Sequence, residues 1–179
     1  MPFACPPFEG TPVPGQSIDE AEPTGTQLPA VDDMAGASAL LRRFSLAVDS
    51  RLPALVARFF TEDALFRPGE REVRGRAAIE SFYLARLSDP RRTTRHIWSN
   101  VELRPSGDGD VLITALLTNY AFEPDVSETA LQMRLGDVEC RCVRGANGEW
   151  QFATHLYTRV FTASLPLAAP PPSPPEGSR

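Results

Sequence analysis

Few side chains in this sequence could move a proton or hold a cofactor, and two of them are histidines. His96 and His155 are the only histidines among 179 residues, and all 18 other basic residues are arginines. An imidazole can accept and return a proton near neutral pH. The absence of lysine excludes Schiff-base chemistry and a phosphate-loop lysine.

His96 lies in a run of residues that predicts a strand. On that strand it shares a face with Thr94, Trp98 and Asn100, because successive side chains point to opposite faces of a sheet. The sequence does not decide which face points inward. A histidine that only makes a hydrogen bond within the sheet is the alternative to a functional one.

Metal ligands do not cluster in the sequence. The two histidines are about 60 positions apart and no carboxylates cluster beside them, which is unlike a zinc or iron ligand set. Cys140 and Cys142 are too close together for a usual zinc knuckle, and a glycine-rich phosphate loop is absent. We therefore expect no metal and no other cofactor.

Asp49 has two roles that the sequence leaves open. Asp49 or Ser50 could cap the helix that begins in the following Arg-Leu-Pro-Ala-Leu run, and a Ser50 cap would free the carboxylate of Asp49. Several other residues could line a mostly apolar pocket, with core packing as the alternative for each aromatic. These candidate pocket residues are Phe60, Phe66, Tyr83, Trp98, Asn119 and Tyr120.

Composition and charge limit the partners of the protein. A net charge of −5 with a pI near 5.1 does not supply the positive field that nucleic acid binding requires. Three cysteines make no disulfide framework, which favours a reducing, cytoplasmic setting. The sequence has no signal-peptide pattern and no apolar run of the roughly 20 residues that span a bilayer. We expect a small-molecule ligand, without nucleic acid or membrane.

The two ends of the sequence differ from its middle. Residues 1–33 contain seven prolines without apolar periodicity, and residues 166–179 are richer still in proline. Such segments cannot bury enough apolar surface to fold, so both are predicted to be disordered. Residues 34–165 form the one predicted domain.

Apolar spacing within this domain predicts three helices followed by long strands. Helical stripes cover residues 37–48 and 52–60, and a third follows Gly75. Strand patterns cover residues 64–67, 93–104, 111–123, 130–144 and 150–161. No crossover helices separate the later strands, so the predicted fold is α+β, with a curved antiparallel sheet packed on three N-terminal helices.

Three motifs in order make the chain similar to the SnoaL-like branch of the nuclear transport factor two-like superfamily. They are Phe59–Ala64, Thr94–Glu102 with its Arg-His-x-x-Ser-Asn pattern, and Gly148–Phe152. The branch includes small subunits of aromatic ring-hydroxylating dioxygenases and, more distantly, scytalone dehydratase. The resemblance spans residues 40–161 and implies a cone-shaped, cystatin-like roll around a pocket.

The resemblance also implies a role for Asp49 and His96. In members similar to scytalone dehydratase, an Asp at the end of the first helix faces a His at the start of the long sheet, and Asp49 and His96 stand at those two places. The carboxylate would fix the imidazole tautomer and leave the second nitrogen free to move a proton. A second histidine of scytalone dehydratase is missing from Leu116–Ala121, so the same dehydration by the same full set of groups is not expected.

Two hypotheses follow. The first is a cofactor-independent lyase or isomerase, dehydratase- or cyclase-like, that acts on a small apolar metabolite through His96 with Asp49 as its orienting partner. The second is a non-catalytic module, either a ligand-holding homodimer or a protein similar to a dioxygenase small subunit, in which both residues only stabilise the cone. An Asp49–His96 hydrogen bond beside a cavity would favour the first.

Overall fold

The computed structural model describes residues 31–107 and 109–167 of the chain. It has three helices: α1 (Val31–Asp49), α2 (Pro53–Arg58) and α3 (Arg76–Arg86). The first helix buries the predicted apolar stripe, which includes Leu40, Leu41, Phe44, Ala47 and Val48. It begins three residues before the predicted domain boundary. Most of the predicted disordered arm, residues 1–30, lies outside the described residues.

The turn between α1 and α2 decides the role of Asp49. The residue at the N-cap of α2 is Leu52, which makes no side-chain capping bond, and Pro53 opens the helix. Of the two roles left open for Asp49, capping of this helix is therefore not the one that the structure has, and Ser50 does not cap it either. Asp49 is instead the last residue of α1, and its carboxylate is available to the sheet.

Six strands form one sheet in the order β2-β1-β6-β5-β4-β3. Their bounds are Phe60–Pro68 for β1, Val73–Arg74 for β2, Thr93–Pro105 for β3, Val111–Phe122 for β4, Ala130–Arg144 for β5 and Trp150–Pro166 for β6. The four long predicted strands are present, and β6 continues to Pro166, which we had placed in the tail. Residues 168–179 of that tail lie outside the described residues.

The α+β prediction is confirmed, with one correction to the sheet. Strand β1 pairs parallel with β6, while all other neighbouring strands are antiparallel, so the sheet is mixed. Strand β1 is also longer than predicted, because Phe60 belongs to it and not to the second helix. Bulges in β3 and in the β5–β6 ladder add local twist and bending to the sheet.

One face of the sheet packs against the helices. Strand β4 alternates buried and half-buried residues along its whole length, as expected when one face lies on a core. The inward residues include Ile113 and the two free cysteines Cys140 and Cys142, all fully buried. Within residues 31–107 and 109–167, no helix is long and apolar enough to cross a membrane.

Candidate functional site

Two polar residues on α1 fasten the helix to β3. Ser45 and Asp49 are four positions apart and so lie on the same helical face. The indole Nε1 of Trp98 donates to Ser45 Oγ at 2.6 Å, and Thr94 Oγ1 donates to Asp49 Oδ1 at 2.9 Å. The backbone N–H of His96 donates to Asp49 Oδ2 at 3.1 Å. The end of α1 is thereby held against the start of the long sheet.

The structure brings Asp49 and His96 into direct contact. The distance between His96 Nδ1 and Asp49 Oδ1 is 2.7 Å, and each side chain is 14% exposed. Partial burial works to raise the pKa of Asp49, but the hydrogen bonds and charge interaction with His96 and the bond from Thr94 outweigh it and lower that pKa. A carboxylate at Nδ1 selects the tautomer that carries its proton there and leaves Nε2 as an acceptor.

The side-chain amide of Asn119 on β4 is the hydrogen-bond partner of the second nitrogen of His96, Nε2. Its Nδ2 lies 3.2 Å from His96 Nε2 and 3.5 Å from the carbonyl oxygen of Arg95. His96 and Asn119 are directly paired across β3 and β4, and Asn119 is in turn paired with Arg134 on β5. These three side chains therefore form one row across the inner face of the sheet.

The row borders a cavity of about 280 Å³ between the sheet and the helices. Of the predicted site residues, His96, Asn119, Phe66 and Tyr83 line it. The other lining residues are Phe44, Val48, Pro68, Arg71, Phe82, Arg86, Leu87, Thr94, Leu117, Arg134, His155, Tyr157 and Arg159. Aromatic and aliphatic walls with a few directed polar groups are typical of small-molecule sites.

Three predicted pocket residues do not reach this cavity wall. Phe60 is fully buried in the core against Phe152. Trp98 on β3 donates to Ser45 on α1, and its ring centroid lies 6.2 Å from that of His155. Tyr120 follows the inward-facing Asn119 on β4 and so points to the opposite face.

His155 is part of the cavity wall but has a different environment from His96. It is 2% exposed, and the rings of Phe44, Phe66 and Phe152 lie within 5.5 Å of it. Burial lowers its pKa to about 4. Neither ring nitrogen has a hydrogen-bond partner in the part of the chain that the structure describes. His155 is therefore neutral at pH 7.

Sequence reasoning missed Tyr157, which lines the same cavity. Its hydroxyl is buried without a hydrogen-bond partner among the described residues. Burial raises its pKa, although the charge and close approach of the Arg159 side chain and the charge of Arg134 oppose that shift. The ring has room because Gly136 faces it: a Cβ on Gly136 would lie 2.4 Å from the Tyr157 ring. Alternation with His155 on β6 is the signal that could have identified it.

Metal-ligand residues do not cluster in the described structure. Among residues 31–107 and 109–167, no group of three His, Cys, Asp or Glu side chains is placed to hold an ion. The site contains an oriented imidazole, an amide and a buried hydroxyl beside a cavity with aromatic, aliphatic and arginine side chains in its wall. Such groups support proton transfer at a ligand held in that cavity.

Several solved structures are similar to this α+β fold. ActVI-ORFA from Streptomyces coelicolor is similar, with 26% identity and a TM-score of 0.61 over 71% of this chain and 96% of that chain. A Novosphingobium aromaticivorans protein assigned as a scytalone dehydratase has 17% identity and a TM-score of 0.67 over 77% of this chain and 91% of that chain. A Catenulispora acidiphila protein in complex with S-DNPA has 22% identity and a TM-score of 0.62 over 73% of this chain and 95% of that chain.

No protein in the curated set matches the sequence. The sequence profile of the SnoaL-like domain, however, matches residues 29–155. That range contains α1, the Arg-His-x-x-Ser-Asn strand and both members of the Asp49–His96 pair. The chain therefore belongs to the SnoaL-like domain family, within the nuclear transport factor two-like superfamily to which its motifs are similar.

Proposed function

We propose that this protein is a cofactor-independent lyase or isomerase, dehydratase- or cyclase-like, that acts on a small cyclic ketone or related metabolite by proton transfer through His96. The observation that carries the proposal is the 2.7 Å contact between Asp49 Oδ1 and His96 Nδ1 beside the cavity that His96 lines. Membership of the SnoaL-like family and the similarity to ActVI-ORFA support this reaction class.

In the proposed mechanism His96 is the catalytic residue and Asp49 is its positioning residue. His96 Nε2 removes a proton from a carbon next to a carbonyl, and the electron pair of that C–H bond forms an enolate. Where the ketone is unsaturated, the enolate is a conjugated dienolate, and return of the proton from Nε2–H to its far carbon completes an isomerisation. Expulsion of a β-hydroxyl group, which takes the proton from Nε2 and leaves as water, completes a dehydration. General acid–base catalysis of this kind contributes about 10²–10⁴-fold in rate.

Asn119 and Tyr157 extend the proposed site. The Asn119 amide donates to neutral Nε2, and a half-turn of its carboxamide would present the oxygen to Nε2–H once the ring is protonated. Tyr157 keeps its proton, because burial raises the pKa of its phenol. Its free hydroxyl could donate a hydrogen bond to the enolate oxygen, where charge develops.

Hydrogen–deuterium exchange tests the proposal without knowledge of the natural substrate. The probe is 2-tetralone in D₂O, whose protons next to the carbonyl exchange through an enolate and are followed by ¹H NMR. We expect the wild-type protein to accelerate exchange, and His96→Ala to remove about 10²-fold or more of that acceleration. Asp49→Asn should remove part of it, because the imidazole is no longer oriented by a carboxylate.

The matched control for Asp49→Asn is Asp63→Asn, because Asp63 is exposed and bonds only to Thr61. This variant should exchange 2-tetralone at the wild-type rate. Equal rates in wild type, His96→Ala and Asp49→Asn, with folding verified by circular dichroism, would contradict the proposed enzyme.

One observation favours the second candidate, a ligand-holding module without catalysis. Both nitrogens of His96 already have partners, Asp49 and Asn119, as a purely structural histidine would. In that case wild type and His96→Ala bind 2-tetralone, detected by ligand-observed NMR, but neither accelerates its exchange.

We also propose a homodimer that pairs the outer face of the sheet of two copies. Ile97, Phe161 and Leu165 are 53%, 48% and 38% exposed on the long strands, and apolar patches of this kind are typical of interfaces. Light scattering should give twice the chain mass for wild type and the chain mass for Ile97→Glu with Phe161→Glu. A wild-type monomer would contradict it.

A further inference from the structure

The cavity is positively charged although the whole protein is acidic. Four arginines line it, and its lining residues include no Asp or Glu: the arginines are Arg71, Arg86, Arg134 and Arg159. The chain as a whole carries a net charge of −5. Two of these arginines, Arg86 and Arg134, contact the carboxylate of Glu123, which does not itself line the cavity. The cavity therefore concentrates positive charge that its own residues leave uncompensated.

Arg134 is the most enclosed of the four, with 17% of its side chain exposed. Its Nη2 donates to Glu123. Its Nη1 is buried without a hydrogen-bond partner in the described part of the chain. A buried N–H of a charged group without an acceptor is costly, so this atom is suited to an acceptor brought by a ligand.

Glu123 cannot neutralise the charge around it. Its carboxylate, 5% exposed, is approached by three guanidinium groups, those of Arg86, Arg92 and Arg134. Burial works to raise the pKa of Glu123, but its bond to Arg134 and the three positive charges lower it, so the group is already ionised at pH 7. One carboxylate can neutralise at most one of the two cavity-lining arginines that it contacts, Arg86 and Arg134.

The positions of His96 and Arg134 set the shape of a ligand that could reach both. They are paired through Asn119 across two strand spacings, which places their backbones about 10 Å apart. Apolar side chains, including Phe66, Phe82 and Leu117, form the walls of the cavity. A flat ring system with an anionic group at one end matches this arrangement.

We propose that the cavity selects ligands that carry a carboxylate, bound by Arg134 with help from Arg86 and Arg159, and that this contact directs the other end of the ligand to His96. The inference deepens the proposed function, because it rests on the same site. A guanidinium is well matched to a carboxylate, since its planar N–H groups form short charge-assisted hydrogen bonds to it.

A matched ligand pair tests the inference by binding alone. The probes are 2-naphthoate and 2-naphthamide, which have nearly the same shape and differ in charge, and affinity is measured by isothermal titration calorimetry at pH 7.5. We expect wild type to bind the carboxylate about tenfold or more tightly than the amide. Arg134→Gln should abolish that preference, and Arg134→Lys should keep part of it.

Two further variants separate the cavity from general surface charge. Arg159→Gln at the rim should weaken the preference, whereas Arg104→Gln, which removes an exposed arginine paired only with Glu102, should not change it. Equal affinity for the two probes, no binding of naphthoate at low millimolar concentration, or a preference that survives in both Arg134→Gln and Arg159→Gln would overturn the inference.

The naphthoate titration and the 2-tetralone exchange together distinguish the carboxylate site from the proposed enzyme. A wild-type preference for naphthoate that depends on Arg134, together with no His96-dependent exchange of 2-tetralone, would refute the enzyme and leave the carboxylate site in place. His96-dependent exchange of 2-tetralone without a preference for naphthoate would support the enzyme and refute the carboxylate site.

Discussion

At the scale of single residues, the site is characterised by which buried polar atoms have hydrogen-bond partners and which do not. Asp49 and His96 satisfy each other, whereas His155, Tyr157 and Arg134 each bury a nitrogen or oxygen without a partner among the described residues. Native proteins keep such atoms rare, because each costs free energy unless a ligand or water satisfies it. Of the five described residues with such side-chain atoms, these three line one cavity, whereas Arg92 and Trp150 do not, and this shared surface is the residue-level argument for the proposed ligand site.

His155 should make the protein sensitive to mild acid. Its pKa is lowered from 6.5 to about 4 in the folded state, so below pH 6.5 the unfolded chain binds more protons at this ring. The lowered pKa of His155 has no effect on the free energy of unfolding above pH 6.5. Between pH 6.5 and about pH 4 it destabilises the fold increasingly, by roughly 3 kcal/mol at the lower end.

The matched variant is His155→Phe, which places another aromatic ring among Phe44, Phe66 and Phe152. Urea unfolding at pH 7 and pH 5 should show a smaller loss of stability on acidification for the variant than for wild type. The same loss in both proteins would show that His155 is not held neutral by burial.

At the scale of elements, two groups of hydrogen bonds hold the helices and strands of the site in position. The α1–β3 contacts of Ser45 and Asp49 set the position of His96. Arg51, at the turn after α1, donates to the carbonyl oxygens of Leu87, Asp89 and Arg92 just beyond α3. The turn between α1 and α2 thereby fixes where the segment after α3 enters β3.

Loss of the Arg51 contacts should destabilise the protein. Arg51→Met keeps much of the apolar stem and removes three hydrogen bonds from a charged donor, so we expect a loss of about 2–3 kcal/mol of unfolding free energy. Arg58→Met, at an exposed arginine, is the control. Denaturant unfolding that gives the same stability for both variants would contradict the role of Arg51.

Gly136 should be required for the placement of Tyr157 between strands β5 and β6. An added Cβ would lie 2.4 Å from both the Thr158 carbonyl oxygen and the Tyr157 ring. Gly136→Ala should therefore lower stability by about 1–3 kcal/mol and change the near-ultraviolet circular dichroism of the tyrosines. A wild-type melting curve and spectrum for this variant would show that the strand pair tolerates the extra methyl group.

Apolar periodicity predicted the helices and strands better than it predicted which strands pair with each other. The long strands and three helices follow from local apolar spacing, but the parallel pairing of β1 with β6 joins residues almost 90 positions apart, such as Phe66 and His155. A pairing partner depends on tertiary packing, which a local pattern does not contain. The same limit explains why the sequence left the role of Asp49 open, because its partners Thr94 and His96 are distant in sequence.

At the scale of the whole molecule, the site contains more residues than the predicted pair, Asp49 and His96. Asp49, His96, Asn119, Phe66 and Tyr83 were identified from sequence and resemblance, and they meet at one cavity or its edge. The lining arginines were not, because they are dispersed between positions 71 and 159 and no local spacing links them. Only the closed fold shows that they share a surface. The cytoplasmic location stays a prediction.

The domain prediction can be tested by truncation. The core of the described structure is built from residues between Ala37 and Phe152, so a chain without residues 1–28 and 168–179 should lose no more than about 0.5 kcal/mol of unfolding free energy. Chemical denaturation of both chains measures this. A loss above about 1 kcal/mol would show that an end segment contributes to the fold.

The central claim is that Asp49 holds the proton on His96 Nδ1 and leaves Nε2, whose partner in the free protein is the Asn119 amide, as the base for the ligand. Long-range ¹H–¹⁵N NMR of the histidine side chains measures the tautomer directly. Asp49 accepts from Nδ1 at 2.7 Å, so at pH 7.5 we predict a protonated Nδ1 and an unprotonated Nε2 whose signal shifts when 2-tetralone binds. A proton on Nε2 in the free protein, or an Nε2 signal unchanged at saturating 2-tetralone, would contradict the account.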